Sequence, residues 1–166
     1  MKLSMSHKQA ALKIKHWYLL QSHIQEISVR GNERFTLFDK IVPETQSDIL
    51  RHIQLNPSEI PVLLLTIAPD HYIINTSERF LKITPKRQVS VYYNEFYDFE
   101  NFASLYYRKK KHARRTPTKE LTELAMRKTS GEVLFWKIPT GHTAYYFWNV
   151  TRLISTIQTE DEASKN

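Results

Sequence analysis

Apolar residues recur at steps of three and four in the N-terminal part of the chain, from residue 7 to about residue 30. This spacing places them on one face of an amphipathic helix. Ser6 is a suitable N-cap for that helix, and Gly31-Asn32 is a suitable stop because both residues tolerate the left-handed conformation that ends helices. The face predicted to be buried comprises Ala10, Ile14, Trp17, Leu20, Ile24 and Ile27.

The segment that follows has weaker signals. Residues 34–42 are predicted to be extended, and residues 43–55 are predicted to form a short helix capped by Thr45 or Ser47. The buried side of this short helix would carry Ile49, Leu50 and Ile53. Asn56-Pro57 and Ile60-Pro61 then interrupt regular structure, because a residue that precedes proline avoids the helical region.

From residue 62 onward, short runs of β-branched and aromatic residues alternate with turn residues. They predict strands at residues 62–68, 72–76, 79–84 and 89–93. Residues 119–128 and 132–138 are predicted to form a hairpin across Thr129-Ser130-Gly131, with Leu134, Trp136 and Ile138 on one face. The aromatic segment 96–107 has no regular period and is not assigned.

Helical spacing returns near the end of the chain, at Phe147, Val150, Ile154 and Ile157. It predicts a helix from Thr143, a candidate cap, to about Gln158, followed by a polar tail at residues 159–166. Helices and strands are segregated along the chain, which favours an α+β fold. We therefore predict one domain over residues 1–158, with a helical part (1–60) and a sheet-and-helix part (61–158). The sheet would be a bent antiparallel sheet or partial barrel of about six or seven strands, capped by the C-terminal helix, with the N-terminal helix packed outside.

Composition excludes several kinds of chemistry. The chain of 166 residues has no cysteine, so disulfides, thiolate nucleophiles and cysteine-ligated zinc are impossible. Its three glycines, Gly31, Gly131 and Gly141, are too dispersed for a Walker loop or a dinucleotide-binding turn. No nucleophile elbow or H-E-x-x-H motif occurs, so no catalytic residue, metal or cofactor is predicted. The N-terminus does not have the pattern of a secretion signal, and no apolar run approaches the ~20 residues of a transmembrane helix, so we expect a cytoplasmic protein.

Positive charge is concentrated in one run. The formal net charge is +7, and without the six cations between residues 108 and 115 it would be +1. Because six like charges repel one another, this run is predicted to be an exposed loop. Three interpretations stay open for it: a solvated loop, a docking site for an acidic protein, or a site for the phosphates of nucleic acid or of an anionic membrane surface. The candidate anion- or partner-binding residues are Arg108, Lys109, Lys110, Lys111, Arg114 and Arg115.

Other chemistry-bearing residues have simple interpretations. The histidines His71, His112 and His142 fall in predicted turns, where a solvated side chain is expected, and His16 and His23 are two helical turns apart. Asp70 and His71 are the one carboxylate and histidine that are neighbours in sequence, but adjacency alone does not bring their side chains together. The segment that contains Glu95, Asp98 and Glu100 could supply paired carboxylates for acid–base chemistry, but a solvated loop edge is favoured. The rings between residues 92 and 107 could stack on bases, but we expect about two-thirds of them to fill the core.

The central segment resembles bacterial pleckstrin-homology-like domains. The residues that carry the resemblance are Leu63-Leu64-Leu65-Thr66-Ile67, the Pro69-Asp70 turn, Tyr72-Ile73-Ile74-Asn75-Thr76 and Glu78-Arg79-Phe80, with the closing helix at 145–157. Over residues 62–158 the resemblance implies a bent antiparallel barrel plugged by a helix, and a binding or scaffolding role without chemistry. Lipid-binding members carry basic residues in the first hairpin, where this chain has Pro69-Asp70-His71.

Together these features predict a non-enzymatic protein-interaction module of the immunity type, which blocks a partner toxin, or of the scaffolding type. The alternatives are an anion-binding module for nucleic acid or anionic lipid that acts through the basic run, and an enzyme with an unrecognised site near residues 92–102.

Overall fold

The computed structural model describes residues 3–24, 34–102 and 121–159. In these ranges the helices are α1 (His7–Ile24), α2 (Pro43–Arg51) and α3 (His142–Thr151). The first strands are β1 (Leu3–Met5), β2 (Phe35–Leu37), β3 (Pro61–Ala68), β4 (His71–Thr76) and β5 (Arg79–Thr84). The remaining strands are β6 (Arg87–Tyr92), β7 (Phe96–Phe102), β8 (Leu121–Lys128), β9 (Val133–Pro139) and β10 (Ile157–Thr159). Short 3-10 turns follow β2, at Phe38–Lys40, and α3, at Arg152–Thr156.

Helix α1 begins with a capping box. The backbone N–H of Gln9 donates to Ser6 Oγ at 3.3 Å, and the backbone N–H of Ser6 donates to Gln9 Oε1 at 3.0 Å. Two helix-start donors are thereby satisfied reciprocally, and the prediction that Ser6 caps this helix is confirmed. The predicted stop at Gly31-Asn32 lies outside the described residues.

The buried face of α1 differs from the predicted one. Ala10, Ile14 and Tyr18 are fully buried, whereas Leu20 is 46% exposed and Trp17 is only partly buried. Steps of four thus lead to Tyr18, which the prediction leaves out of the buried face. A tyrosine can be buried here because its hydroxyl donates to a backbone carbonyl of β2 at 2.9 Å.

Helix α2 begins at Pro43. Proline is suited to the first turn of a helix, because the N–H groups there have no hydrogen-bond partner within the helix and the missing one is not needed. The N-cap of α2 is Val42, which makes no side-chain capping hydrogen bond, so the prediction of Thr45 or Ser47 as the cap is wrong. The fixed φ of Pro43 is already helical, so the helix begins there, before Thr45 and Ser47. The predicted apolar side packs inward, through Ile49, Leu50 and Ile53.

Five antiparallel strands form the larger sheet, in the order β2-β3-β4-β5-β6. Its last four strands confirm the four predicted between residues 62 and 93. One face of the sheet packs on α2, through a small core that includes Ile74, Leu81 and Ile83. The other face contributes Leu63, Ile73 and Phe80 to the main core, with α1, α3 and the second sheet.

Strands β7, β8 and β9 form the second antiparallel sheet, in which β8 and β9 are the predicted hairpin. The register between β7 and β8 shifts twice, between Phe96 and Asp98 and between Phe99 and Phe102. These shifts interrupt the alternation of the side chains, which explains why the segment has no readable period. Phe96 and Phe99 are buried, whereas Tyr97 is 60% exposed.

The predicted C-terminal helix is too long. Helix α3 ends at Thr151, a 3-10 turn follows, and β10 pairs in parallel with β1. Ile154 and Ile157 are still fully buried, because the tighter turn and the strand direct them into the main core. The N-cap of α3 is Gly141, which has no side chain to cap the helix, so the prediction of Thr143 as the cap is wrong.

The α+β class with an N-terminal and a C-terminal helix is confirmed. The two antiparallel sheets pack around one main core but do not close into a barrel.

Candidate functional site

The six cations of the basic run lie outside the described residues. They are Arg108, Lys109, Lys110, Lys111, Arg114 and Arg115, and the prediction that they form an exposed binding loop stays a prediction. His112 and the side chains of His23 and Glu100 also lie outside the described part.

Arg79, the first residue of β5, is held by a dense set of acceptors. Its Nε and Nη2 atoms donate to Glu59 Oε1 and Oε2 at 2.8 and 2.7 Å. Its Nη2 also donates to the Gln54 carbonyl at 2.6 Å, and its Nη1 donates to Ser90 Oγ at 3.1 Å and to the Tyr92 hydroxyl at 3.3 Å. Burial by itself lowers the pKa of Arg79, but the hydrogen bonds and charge of Glu59 raise it above its usual value.

The pair is enclosed, because the side chains of Arg79 and Glu59 are 7% and 0% exposed. All three guanidinium nitrogens have acceptors within the chain. This arginine is therefore engaged in holding the fold and has little capacity left for an external anion.

A second carboxylate, Glu78, connects this pair to α1. Its Oε2 lies 3.7 Å from His7 Nε2, its Oε1 lies 4.0 Å from Arg79 Nε, and it accepts a hydrogen bond from the Asn56 amide. Burial and the nearby charge of Glu59 raise the pKa of Glu78. His7 Nδ1 is 2.9 Å from Ser77 Oγ, so a buried chain of polar groups runs from the first turn of α1 to the turn between β4 and β5.

Ser77, His7 and Glu78 bring together a hydroxyl, an imidazole and a carboxylate, the three groups of a serine-hydrolase triad. The hydroxyl is inaccessible, since Ser77 is fully buried and its Oγ accepts the backbone N–H of Ile60 at 3.1 Å. A nucleophile must reach an external carbonyl beside oxyanion donors. In this conformation the three groups therefore serve as a structural clasp between α1, the 56–60 loop and the β4–β5 turn.

The end of β4 is closed by a buried tyrosine. Tyr93 donates its hydroxyl proton to the Thr76 carbonyl at 2.6 Å. Burial raises the pKa of Tyr93, and the neighbouring amide of Asn75 partly offsets the rise. Asn75 is fully buried, and neither of its side-chain polar atoms reaches hydrogen-bond geometry in the described part of the chain.

The candidate residues near the turns do not assemble into a site. His71 Nδ1 donates to the Pro69 carbonyl at 2.8 Å, not to Asp70. Glu95 accepts the backbone N–H of Tyr92 at 3.1 Å, and Asp98 accepts that of Phe99 at 2.7 Å. His16 and His142 are exposed. Within residues 3–24, 34–102 and 121–159, no three His, Asp or Glu side chains are placed to hold a metal ion.

Sequence patterns did not predict the buried network formed by His7, Glu59, Ser77, Glu78 and Arg79. They mark His7 only as the start of a helix, and Glu59 as part of a loop. The one sequence signal is the polar run Ser77-Glu78-Arg79, which stands between two strongly apolar strands.

Comparison of the chain with protein-family models, with curated proteins and with solved structures finds no match. Of the helices that the structure describes, none is both long and apolar enough to cross a bilayer.

One helix face presents a compact set of large side chains. On α3, Tyr145 is 53% exposed and its ring lies 5.9 Å from that of the half-buried Trp148, one turn further along. The guanidinium of Arg152, just after the helix, lies 5.2 Å from the Trp148 ring, in a cation–π contact. We call Tyr145, Trp148 and Arg152 the α3 face.

A second surface feature is a small apolar groove of about 240 Å³ between α1 and the start of β3. Leu12, which is 60% exposed, and Ile60 line it. Lys15 and Asp39, which also line it, pair with each other at 2.5 Å, so their charges are compensated within the chain.

Proposed function

We propose that this chain is a non-enzymatic protein-interaction module of the immunity or scaffolding type, and that an acidic partner protein docks on the α3 face. The observation that carries the proposal is the ladder Tyr145–Trp148–Arg152, whose first and last members are exposed. The three side chains follow one another at helical spacing: the Tyr145 and Trp148 rings make a tilted contact at an interplanar angle of 43°, and the Arg152 guanidinium makes a cation–π contact with Trp148.

Tyrosine, tryptophan and arginine are the residue types that most often dominate binding energy in protein interfaces. These contacts restrain the side chains of the α3 face, so less conformational entropy is lost when a partner binds. The Leu12–Ile60 groove has no aromatic or arginine anchor, which makes it the weaker candidate.

The acidic character of the partner follows from charge. Arg152 is exposed, and no carboxylate in the described part of the chain pairs with it. The formal net charge of +7 attracts an acidic protein at long range, whichever face the protein finally contacts.

Two further features support a binding role over a catalytic one. The Ser77–His7–Glu78 cluster, the nearest approach to a catalytic triad, is enclosed and hydrogen-bonded to the backbone. The pleckstrin-homology-like resemblance of residues 62–158 remains part of the proposal. It is supported by the antiparallel strands β3 to β9 and by α3, whose buried side lies in the core that both sheets share. The cytoplasmic location stays a prediction.

The test places a photo-crosslinking amino acid at position 145 of the full chain, which is expressed in the cells whose genome encodes the chain. We expect one acidic protein to be captured there and not at position 97, where the similarly exposed Tyr97 serves as the matched control. With that protein purified, Tyr145→Ala and Arg152→Ala should each weaken binding by about 2 kcal/mol, or about 30-fold.

Tyr97→Ala should leave the affinity unchanged. Equal capture at the two positions, or full affinity of the Tyr145→Ala and Arg152→Ala variants, would refute the α3 face as the docking surface.

The concentration of charge in residues 108–115 favours a second function, the binding of nucleic acid or of an anionic lipid surface. A chain that neutralises several phosphates elutes from heparin with a steep salt dependence. Lys109→Ala/Lys110→Ala/Lys111→Ala should then elute at clearly lower salt than Lys8→Ala/Lys13→Ala/Lys40→Ala, which loses the same charge elsewhere. Equal elution of the two triple variants would reject this function.

A further inference from the structure

A groove of about 510 Å³ lies apart from the α3 face and from the Leu12–Ile60 groove. It is formed by the last turn of α2, the turn between β3 and β4, and the turn between β5 and β6. Its volume falls within the range of about 300–1,000 Å³ that small-molecule sites occupy.

The floor of this groove is apolar. Ile49 of α2 and Ile83 of β5 are buried, and the half-buried ring of Tyr72 stands beside them. A flat aromatic or branched aliphatic group placed on this floor would remove from water its own apolar surface and the exposed part of the Tyr72 ring.

The rim of the groove carries cations on one side. Lys86 lies in the β5–β6 turn and Arg87 is the first residue of β6. Both are exposed, and within residues 3–24, 34–102 and 121–159 neither makes an ion pair with a carboxylate. Thr84 Oγ1 accepts the Arg87 backbone N–H at 3.2 Å and donates to the Arg87 carbonyl at 3.1 Å, which fixes the turn that presents the cations.

The opposite side of the rim carries one acid, Asp70. Two cations and one carboxylate leave a single positive charge, which matches a monoanion better than a phosphate dianion. The planar fork of arginine also fits a carboxylate bidentately.

We propose that this groove is a binding site for a small carboxylate that carries an aromatic or branched aliphatic group. The carboxylate would contact Arg87 and Lys86, and the apolar group would lie on Ile49, Ile83 and Tyr72. The site shares no residue with the α3 face, so its test is independent of the proposed protein partner.

The experiment is a titration of the ¹⁵N-labelled chain with phenylacetate, followed by amide chemical shifts. We expect saturable shifts at Asp70, His71 and Tyr72 and at residues 84–88. Acetate and benzyl alcohol, which each supply half of the ligand, should bind at least about tenfold more weakly, since each loses either the charged hydrogen bonds or the apolar contact. Phenyl phosphate should not bind more tightly than phenylacetate.

Variants separate this site from general adhesion. Lys86→Ala/Arg87→Ala should weaken phenylacetate binding about tenfold, whereas Asp70→Asn, which removes the opposing charge, should strengthen it about threefold. Lys8→Ala/Lys40→Ala, a pair of exposed lysines outside the groove, should bind as the parent does. The proposal is overturned if no shifts occur at about 10 mM phenylacetate, roughly the weak end of ligand affinities. It is equally overturned if benzyl alcohol binds as well, if phenyl phosphate binds more tightly, or if the Lys86/Arg87 variant binds unchanged.

Discussion

Replacement of Arg79 by methionine tests whether the buried network holds the fold together. The substitution keeps most of the side-chain volume but leaves Glu59 and Glu78, 0% and 8% exposed at their side chains, without their shared cation. An uncompensated buried charge of this kind costs about 3–5 kcal/mol. Total unfolding free energies are about 5–15 kcal/mol, so the variant should lose a large part of its stability at neutral pH.

The loss of stability caused by Arg79→Met should depend on the carboxylates that remain in the buried network. Arg79→Met/Glu59→Gln removes both charges of the closest pair, and the amide oxygen introduced by Glu59→Gln would still accept the Asn56 backbone N–H that Glu59 Oε2 now accepts at 2.8 Å. We expect the double variant to recover about 2 kcal/mol relative to Arg79→Met, since contacting residues couple by amounts of this size. Lowering the pH should also stabilise Arg79→Met, because protonation neutralises its unpaired acids.

The assay is equilibrium unfolding in urea at neutral and mildly acidic pH, followed by far-UV circular dichroism and tryptophan fluorescence. The m-value should stay unchanged if only stability is altered. A loss below about 1 kcal/mol for Arg79→Met would mean that the chain relaxes around the missing cation. Failure of the double variant to recover would mean that Arg79 acts by packing alone. Either result would refute the reasoning.

Three further predictions use the same urea assay. Phe80→Ala should cost about 3–5 kcal/mol because the ring is fully buried against Tyr93, Phe96, Phe99 and Trp136, whereas Tyr97→Ala, at an exposed position, should change stability by less than about 0.5 kcal/mol. The pKa of Glu78 is raised in the folded state by burial and by Glu59, so the parent chain should lose stability as the pH rises from the ordinary glutamate range through that raised pKa. Glu78→Gln should lack this loss, and parallel pH profiles of the parent and the variant would contradict the prediction. Gly141→Ala should cost about 1–3 kcal/mol although the new methyl group meets no atom within 4 Å, since φ 77° and ψ −141° disfavour any Cβ; an unchanged midpoint would show that the turn readjusts freely.

Local signals predicted much of the secondary structure. The Ser6 cap, strands β3 to β6 and the β8–β9 hairpin follow from patterns in which each residue reports its own neighbourhood: a hydroxyl before a helix, a period of two, a glycine at a turn. Prediction failed where a regular pattern was interrupted, or where residues outside a helix had the same spacing as residues of a helix. The two register shifts in β7 hid a strand, and Ile154 and Ile157 kept helical spacing while a 3-10 turn and β10 placed them in the core.

The sequence by itself determined the α+β class, the position of most strands and the concentration of charge in residues 108–115, because these depend on composition and on short-range periodicity. Only the tertiary structure decided which groups meet. The parallel pairing of β1 with β10, the clasp that joins His7 to Ser77 and Glu78, and the groove between α2 and two strand turns each join residues far apart in the chain. No local pattern encodes such contacts, since they arise when sheets and helices bury their apolar faces together and carry their polar residues with them.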